Sequence, residues 1–521
     1  FCINNQVEKI LHIIYNMQYA YNTLLNSNML KCAVPFLRLD FPRGGSLPQR
    51  DRFQRSMVRL RNGRQKACCW ERVVSSLFSY CIKGSNMSNK RTRDIVVSGL
   101  MLFAMFLGAG NVIFPPYVGA QTGSLWAGAA VGFLITGAGL PLLGTLAVSK
   151  AGGDSNRLCD KAWPGLSKFL NVLILLMIGP LFAIPRTAAT TTEMSVIPFL
   201  PEGMDQKLVF TIVSALFFLI TYFLTRSSAK GLDRMGSILS PLLVLFLFIT
   251  IVISIVKPIG TPAPSVVQEG MFYYGVRSGY HTMDGLGSIV MGGAVAFYIT
   301  EKGYSREQLK RMLPKSALIA GILLGTVYLG YIWIGASGSA QLAGNSDRTA
   351  LLSQASLLLA GRLGQVLLAL IIFFACLTTA AGLVITFSEY FADLCGRRVN
   401  VKQWTVISIL FSFFISLIGV EGIISLSGPV LEIIYPLVVV LILLNLFTDA
   451  IRSHRAFKGA LIGSMCTLPL YTLLQISPTR QLALDIMEHF PLGNLGFVYI
   501  PFALCGFVAG FIWDWLSNHR K

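Results

Sequence analysis

The sequence predicts an all-α polytopic membrane protein with twelve transmembrane helices, and three observations carry that prediction. Hydrophobic residues make up 54% of the chain and charged residues 13%, about half the ~25% charged content of a soluble globular domain. Mean hydropathy is +0.64. Apolar stretches long enough to cross a bilayer, about 20 residues each, follow one another with short loops between them. Positive charge collects on alternate loops, as the cytoplasmic side of a membrane requires.

The stretches run 95–119, 125–149, 167–195, 208–225, 237–256, 281–300, 314–337, 364–391, 403–420, 427–447, 457–476 and 495–516. Lys90, Arg91 and Arg93 precede the first. Alternate loops then carry Lys150, Arg157, Lys161 and Lys168; Arg226, Lys230 and Arg234; Lys302, Arg306, Lys310, Arg311 and Lys315. The series continues through Arg397, Arg398 and Lys402, then Arg452, Arg455 and Lys458, to Arg520 and Lys521. The intervening loops hold only Lys207, Lys257, Arg277, Arg348, Arg362 and Arg480. Both termini are therefore expected in the cytoplasm. The net charge of +19 is loop bias on this reading, with no nucleic-acid partner. The cysteines, the adjacent Cys68-Cys69 included, lack C-x-x-C or Cys/His spacing, so no disulfide framework or zinc site is expected.

Residues 1–86 are a different material, with the basic run from Arg50 to Arg64 and no stretch long enough to span. Met87, followed by Ser-Asn-Lys-Arg-Thr-Arg and then the first span, is how a bacterial inner-membrane protein begins. The expectation is a misassigned start or a disordered segment, with the membrane domain at 87–521. The other reading is a basic surface-binding extension. On the outer side, Ser346-Asp347-Arg348 leads into the apolar run Ala350 to Ala360, which reads as a short helix across the outer mouth, a lid or a connector.

Two spans are interrupted. The first reads Gly108-Ala109-Gly110-Asn111, followed by Pro115-Pro116; the sixth reads Asp284-Gly285-Leu286-Gly287-Ser288. Glycine loosens a helix and proline removes a donor. Backbone groups freed at membrane depth need partners that lipid cannot supply. Paired interruptions in corresponding spans point to a transporter built from inverted repeats, with its site where the breaks meet. The repeats are placed at about 95–256 and 281–447, with two extra helices at about 457–516. Freed N–H groups suit a carboxylate, and freed carbonyls suit Na⁺ or an ammonium. A zwitterionic amino acid suits both.

For Gly285 and Gly287 the alternative is close helix packing, which is the preferred reading for Gly128 and Gly132. Asp284 at membrane depth is a functional candidate, for an ammonium, a cation or a coupling proton; its alternative is a solvated place at the outer end of the span. Arg186 and Glu193, two turns apart on one face, read as an ion pair in the outer vestibule or as a gate. Thr378 and Thr379 offer two hydroxyls to a small hard cation, or simply bond back to their own helix. No H-E-x-x-H or Ser/His constellation lies at depth; His281, His454, His489 and His519 fall near loops or ends. An enzyme and a bound cofactor are therefore not expected.

With GAGNVIFPP, Gly132–Gly144 (GFLITGAGLPLLG), Ile178–Ala188 (IGPLFAIPRTA), GYHTMD and CLTTAAGL in order, the chain resembles the branched-chain amino acid:cation symporter family, within the amino acid–polyamine–organocation superfamily. The resemblance covers residues 90–515. It implies the five-plus-five inverted-repeat fold of the bacterial leucine transporter and import of leucine, isoleucine and valine with Na⁺, the alternatives being H⁺ as the ion or a transporter-like amino acid sensor. It further implies that Gly108, Ala109, Gly110 and Asn111 are the unwound centre binding the substrate carboxylate. Gly285, Leu286, Gly287 and Ser288 would be the matching break beside the ammonium and side chain. A Na⁺ site would comprise the hydroxyls of Thr378 and Thr379 and the carbonyls of Ala104, Leu107 and Ala375.

Overall fold

The structure, a computed structural model, describes residues 90–519 apart from 160–161, 164, 202–203, 226–238, 346, 452 and 476. The extension at 1–86 lies outside the described residues, as do Lys161, Arg226, Lys230, Arg234, Ser346, Arg452, Arg520 and Lys521. Among the described residues every regular element is helical. This follows from an apolar chain in lipid, where a helix satisfies its backbone internally.

In order the helices are α1 (Lys90–Phe106), α2 (Ala109–Thr122), α3 (Trp126–Leu134), α4 (Leu140–Lys150), α5 (Leu166–Leu176), α6 (Ala183–Ser195), α7 (Gln206–Thr225) and α8 (Ser240–Val256). Then come α9 (Met271–Tyr280), α10 (Asp284–Glu301), α11 (Arg306–Ser337), α12 (Arg348–Leu394), α13 (Val401–Ser416), α14 (Val420–Leu446), α15 (His454–Met465), α16 (Leu468–Leu474), α17 (Arg480–Glu488) and α18 (Tyr499–His519). A π-turn, Ile135–Gly139, joins α3 to α4, and another, Met177–Leu181, joins α5 to α6. In the second, Gly179 leaves helical geometry (φ −86°, ψ −122°) ahead of Pro180. Among the described residues eight segments qualify as membrane spans by length and composition, and α9 with α10, bent by 41°, makes a ninth if the pair is one span.

Lipid-facing and buried surfaces separate cleanly. On α7, Leu208, Ile212, Leu216, Leu219 and Phe223 recur at helical spacing and are all exposed, an apolar stripe suited to acyl chains. Inside, helices cross through glycine. A side chain on Gly119 would overlap the Ile332 carbonyl, and one on Gly335 would overlap that of Pro116, so α2 and α11 touch backbone to backbone. Gly132 meets Phe272 O on α9 in the same way, and Gly128 approaches Met271, which bears out the packing reading of that pair.

The short helix expected after Arg348, lid or connector, is the first part of α12. Its backbone breaks at Ala360 and Gly361 (φ 61°), the latter in the left-handed region open to glycine. Asp347 caps the start through the amides of Thr349 and Ala350.

Candidate functional site

The first break is narrower than its glycines suggest. Leu107 N–H still bonds Phe103 O at 2.8 Å, but Gly108 N–H turns to Phe106 O at 2.7 Å, and Gly108 is extended (φ −103°, ψ −162°). Only Leu107 and Gly108 are unwound; Ala109, Gly110 and Asn111 form the first turn of α2. That turn carries the amides without intrahelical acceptors. Pro115 and Pro116 sit inside α2 and do not end it.

The second break is displaced from its glycines. It falls at His281–Met283, with Met283 held at φ 68°, an uncommon conformation for a residue with a side chain. Asp284 is the first residue of α10, and Gly285 to Ser288 are helical. A Cβ on Gly285 would press on Leu140 (2.6 Å) and Tyr435 (2.9 Å), so the packing alternative describes Gly285. Ser288 donates to its own helix at Gly285 O (2.7 Å) and faces Gly144. Leu286 is fully buried, and Gly287 lies near Met291.

Asp284 is not solvated at the end of a span: it is 3% exposed. The Asn111 amide donates to Asp284 Oδ2 and to Tyr328 Oη. Tyr328 Oη–H donates to the same carboxylate oxygen at 2.8 Å. Three spans therefore meet at one oxygen: α2, α10 and α11.

Arg186 departs from its expected role. It makes no pair with Glu193, whose Oε1 accepts from Val420 N–H at 3.0 Å. Arg186, 3% exposed, donates from Nη1 to His281 O at 3.1 Å and approaches Thr282 O from Nη2 at 3.5 Å. The carbonyls freed at the second break thus face a cation supplied by the protein. A Cβ on Gly110 would come within 2.7 Å of Arg186 Nη2, so the absent side chain leaves room for the guanidinium.

Across the cavity, α12 brings Thr378 and Thr379 to α1. Thr379 Oγ1 lies 3.1 Å from Ala104 O. Thr378 Oγ1 lies within reach of Ala104 O (3.2 Å), Phe374 O (2.9 Å) and Ala375 O (3.0 Å). One hydroxyl proton cannot serve three carbonyls. Two of the three, Phe374 O and Ala375 O, are the ordinary acceptors of a helix threonine, and Ala104 O is the one on another helix. Leu107 belongs to the adjoining break.

A small cavity of about 20 Å³ lies between these parts, room for roughly one water. Its walls include Gly108, Ala109, Asn111, Asp284 and Thr379 from the expected set, and Arg186 beyond it. The Phe114 ring has two cations near it, with Arg186 Cζ at 5.7 Å and Arg348 Cζ at 5.8 Å from its centroid. Arg348 also pairs with Glu421 at 2.6 Å and covers Tyr117 at 4.7 Å.

Residues 91–517 match the family described as branched-chain amino acid transport protein. The chain belongs to this family. This branched-chain amino acid transport protein is 35% identical over 430 residues to the branched-chain amino acid permease BraB of Bacillus subtilis, covering 81% of this chain and 95% of that one. It is 36% identical over 391 residues to the branched-chain amino acid transport system 2 carrier protein of Pseudomonas aeruginosa, covering 73% and 86%. The relatives are transport proteins, and the chain is a multi-pass membrane protein. Its fold is similar to that of MhsT, solved in complex with L-phenylalanine, with TM-score 0.50 and 16% identity over 80% of this chain and 97% of that one. Tyr328 escaped the sequence reading, and Arg186 was singled out there only as a partner of Glu193, not as a wall of the site. A buried arginine in a proline-flanked span was a usable signal; a tyrosine within a long apolar helix was none.

Proposed function

We propose that this protein is a secondary active symporter that imports leucine, isoleucine and valine with Na⁺ by alternating access. The observation that carries the proposal is the meeting of two broken helices, at Leu107–Gly108 and His281–Met283, around one cavity. The unpaired first turn of α2 offers N–H groups to a carboxylate, and Asp284 offers a charge to an ammonium. Na⁺ is taken as a substrate by the hydroxyls of Thr378 and Thr379 with the carbonyls of Ala104, Leu107 and Ala375. Because that group ties α1 to α12, the ion biases one arrangement of the bundle over the other, and its gradient becomes linked to the amino acid's. The names of the relatives support the substrate class.

The same proposal includes twelve spans in a five-plus-five inverted repeat with two extra C-terminal helices, within residues 87–521. The loop charges support a bacterial inner-membrane location with both ends cytoplasmic. The protein is not an enzyme on this reading, and no bond is broken. A second reading, H⁺ coupling, has the buried Asp284 carboxyl in its favour.

Uptake of labelled leucine into proteoliposomes under imposed gradients decides between them. Accumulation under an inward Na⁺ gradient supports the proposal. Accumulation under a proton gradient alone selects the second reading, and accumulation under neither refutes both.

A further inference from the structure

We propose that Arg186 is a substrate-binding residue: its guanidinium takes the α-carboxylate of the amino acid and makes that carboxylate a condition of recognition. The inference rests on the transporter reading above.

A guanidinium has five N–H donors in a planar fork. Arg186 commits one to His281 O at 3.1 Å and has a long approach to Thr282 O at 3.5 Å, while its buried Nε has no partner. No carboxylate lies within 4.0 Å of it among the described residues. A buried cation needs a counter-charge, and an unanswered one is costly. Asp284 lines the same cavity and acts on Arg186 electrostatically, but it makes no ion pair with it, its Oδ2 being held by the neutral donors Asn111 and Tyr328. One cation and one acid thus border a single cavity without touching. A zwitterion complements that pattern, with its carboxylate on the Arg186 fork and its ammonium toward Asp284. Gly110, which leaves the guanidinium its place, brings the first turn of α2 to the same anion.

The test measures equilibrium binding of leucine and of leucinol, in which an alcohol replaces the carboxylate, to the purified full-length protein. Wild type should prefer leucine by roughly 10- to 100-fold, the range of a charge-assisted hydrogen-bonded pair. Arg186→Gln should bind leucinol as wild type does and lose most of its preference for leucine. A variant in which the preference persists, or in which both ligands weaken in proportion, overturns the assignment; the second pattern marks a purely structural arginine. If Arg186→Gln does not fold, Arg186→Lys is read the same way. It should weaken leucine several-fold and spare leucinol, and equal effects on the two ligands would overturn the assignment. Wild type that binds neither ligand removes the transporter reading as well, whereas wild type that binds leucine with an unmoved ratio in the variants removes only the role of Arg186.

Discussion

Thr378→Val separates a cation ligand from an ordinary helix threonine, because it deletes one oxygen and nearly keeps the volume. In the structure Thr378 Oγ1 reaches across to Ala104 O at 3.2 Å and back to Phe374 O at 2.9 Å. If the hydroxyl served only those carbonyls, its loss would cost about 0.5–1.5 kcal/mol of stability, whatever the ions present. If it also binds Na⁺, a charge-directed contact goes, worth about 1.5–3 kcal/mol, or roughly 10- to 100-fold in Na⁺ affinity. Leucine uptake into proteoliposomes, titrated with Na⁺, reads the second effect; thermal unfolding without Na⁺ reads the first. The expected result is a Na⁺ half-saturation raised by one to two orders of magnitude, with uptake recovering at high Na⁺. Thr378→Ser, which keeps the oxygen, should stay near wild type. A half-saturation that Thr378→Val leaves unmoved, beside a lowered melting temperature, would refute the reasoning and return Thr378 to the role of a packing residue.

Gly119→Val drives a branched side chain into the Ile332 carbonyl, 2.7 Å from Ala336 N at its Cβ alone. Overpacking there should cost about 1–3 kcal/mol or more, seen as a lower melting temperature; an unchanged one would mean that α2 and α11 part easily. Tyr328→Phe removes one of the two donors to Asp284 Oδ2 and should weaken leucine binding by roughly tenfold, with unaltered affinity as the refuting result. Arg348→Gln breaks a partly exposed pair with Glu421, worth only about 0.2–1 kcal/mol, so the fold should hold. Dissociation of bound leucine should instead quicken several-fold, and an unchanged rate would show that the start of α12 is a connector and not a lid.

The apolar, all-helical, multi-pass character of the chain was legible because apolar length is a local property that the membrane enforces, whereas eight segments, or nine with the bent pair, qualify as spans among the described residues against the twelve expected. Interruption was legible too, but its position was not. Glycine marks where a chain can unwind, and Gly285 was kept for contact with Leu140 and Tyr435. The second break fell instead on Met283, which nothing in its own side chain announces. The prolines misled for a related reason: α2 keeps its course through Pro115 and Pro116 because neighbouring helices hold it. Heptad-like spacing placed Arg186 and Glu193 on one face, yet Arg186 turned to the second break at His281 O and Glu193 to the start of α14 at Val420. Sequence spacing fixes direction along one helix and says nothing of which neighbour stands opposite.

Because prolines at 115 and 116 have no N–H, the carbonyls of Asn111 and Val112 lose their usual donors one turn along. The backbone amides of the first turn of α2 are already without intrahelical acceptors, and its tie to the neighbours runs through the Asn111 side chain. A rod missing rungs at its base bends there at low cost, while its far end stays pinned at the glycine crossing with α11. On the transporter reading, adjustment around a bound molecule would fall on this end of α2, with the glycine crossing held in place.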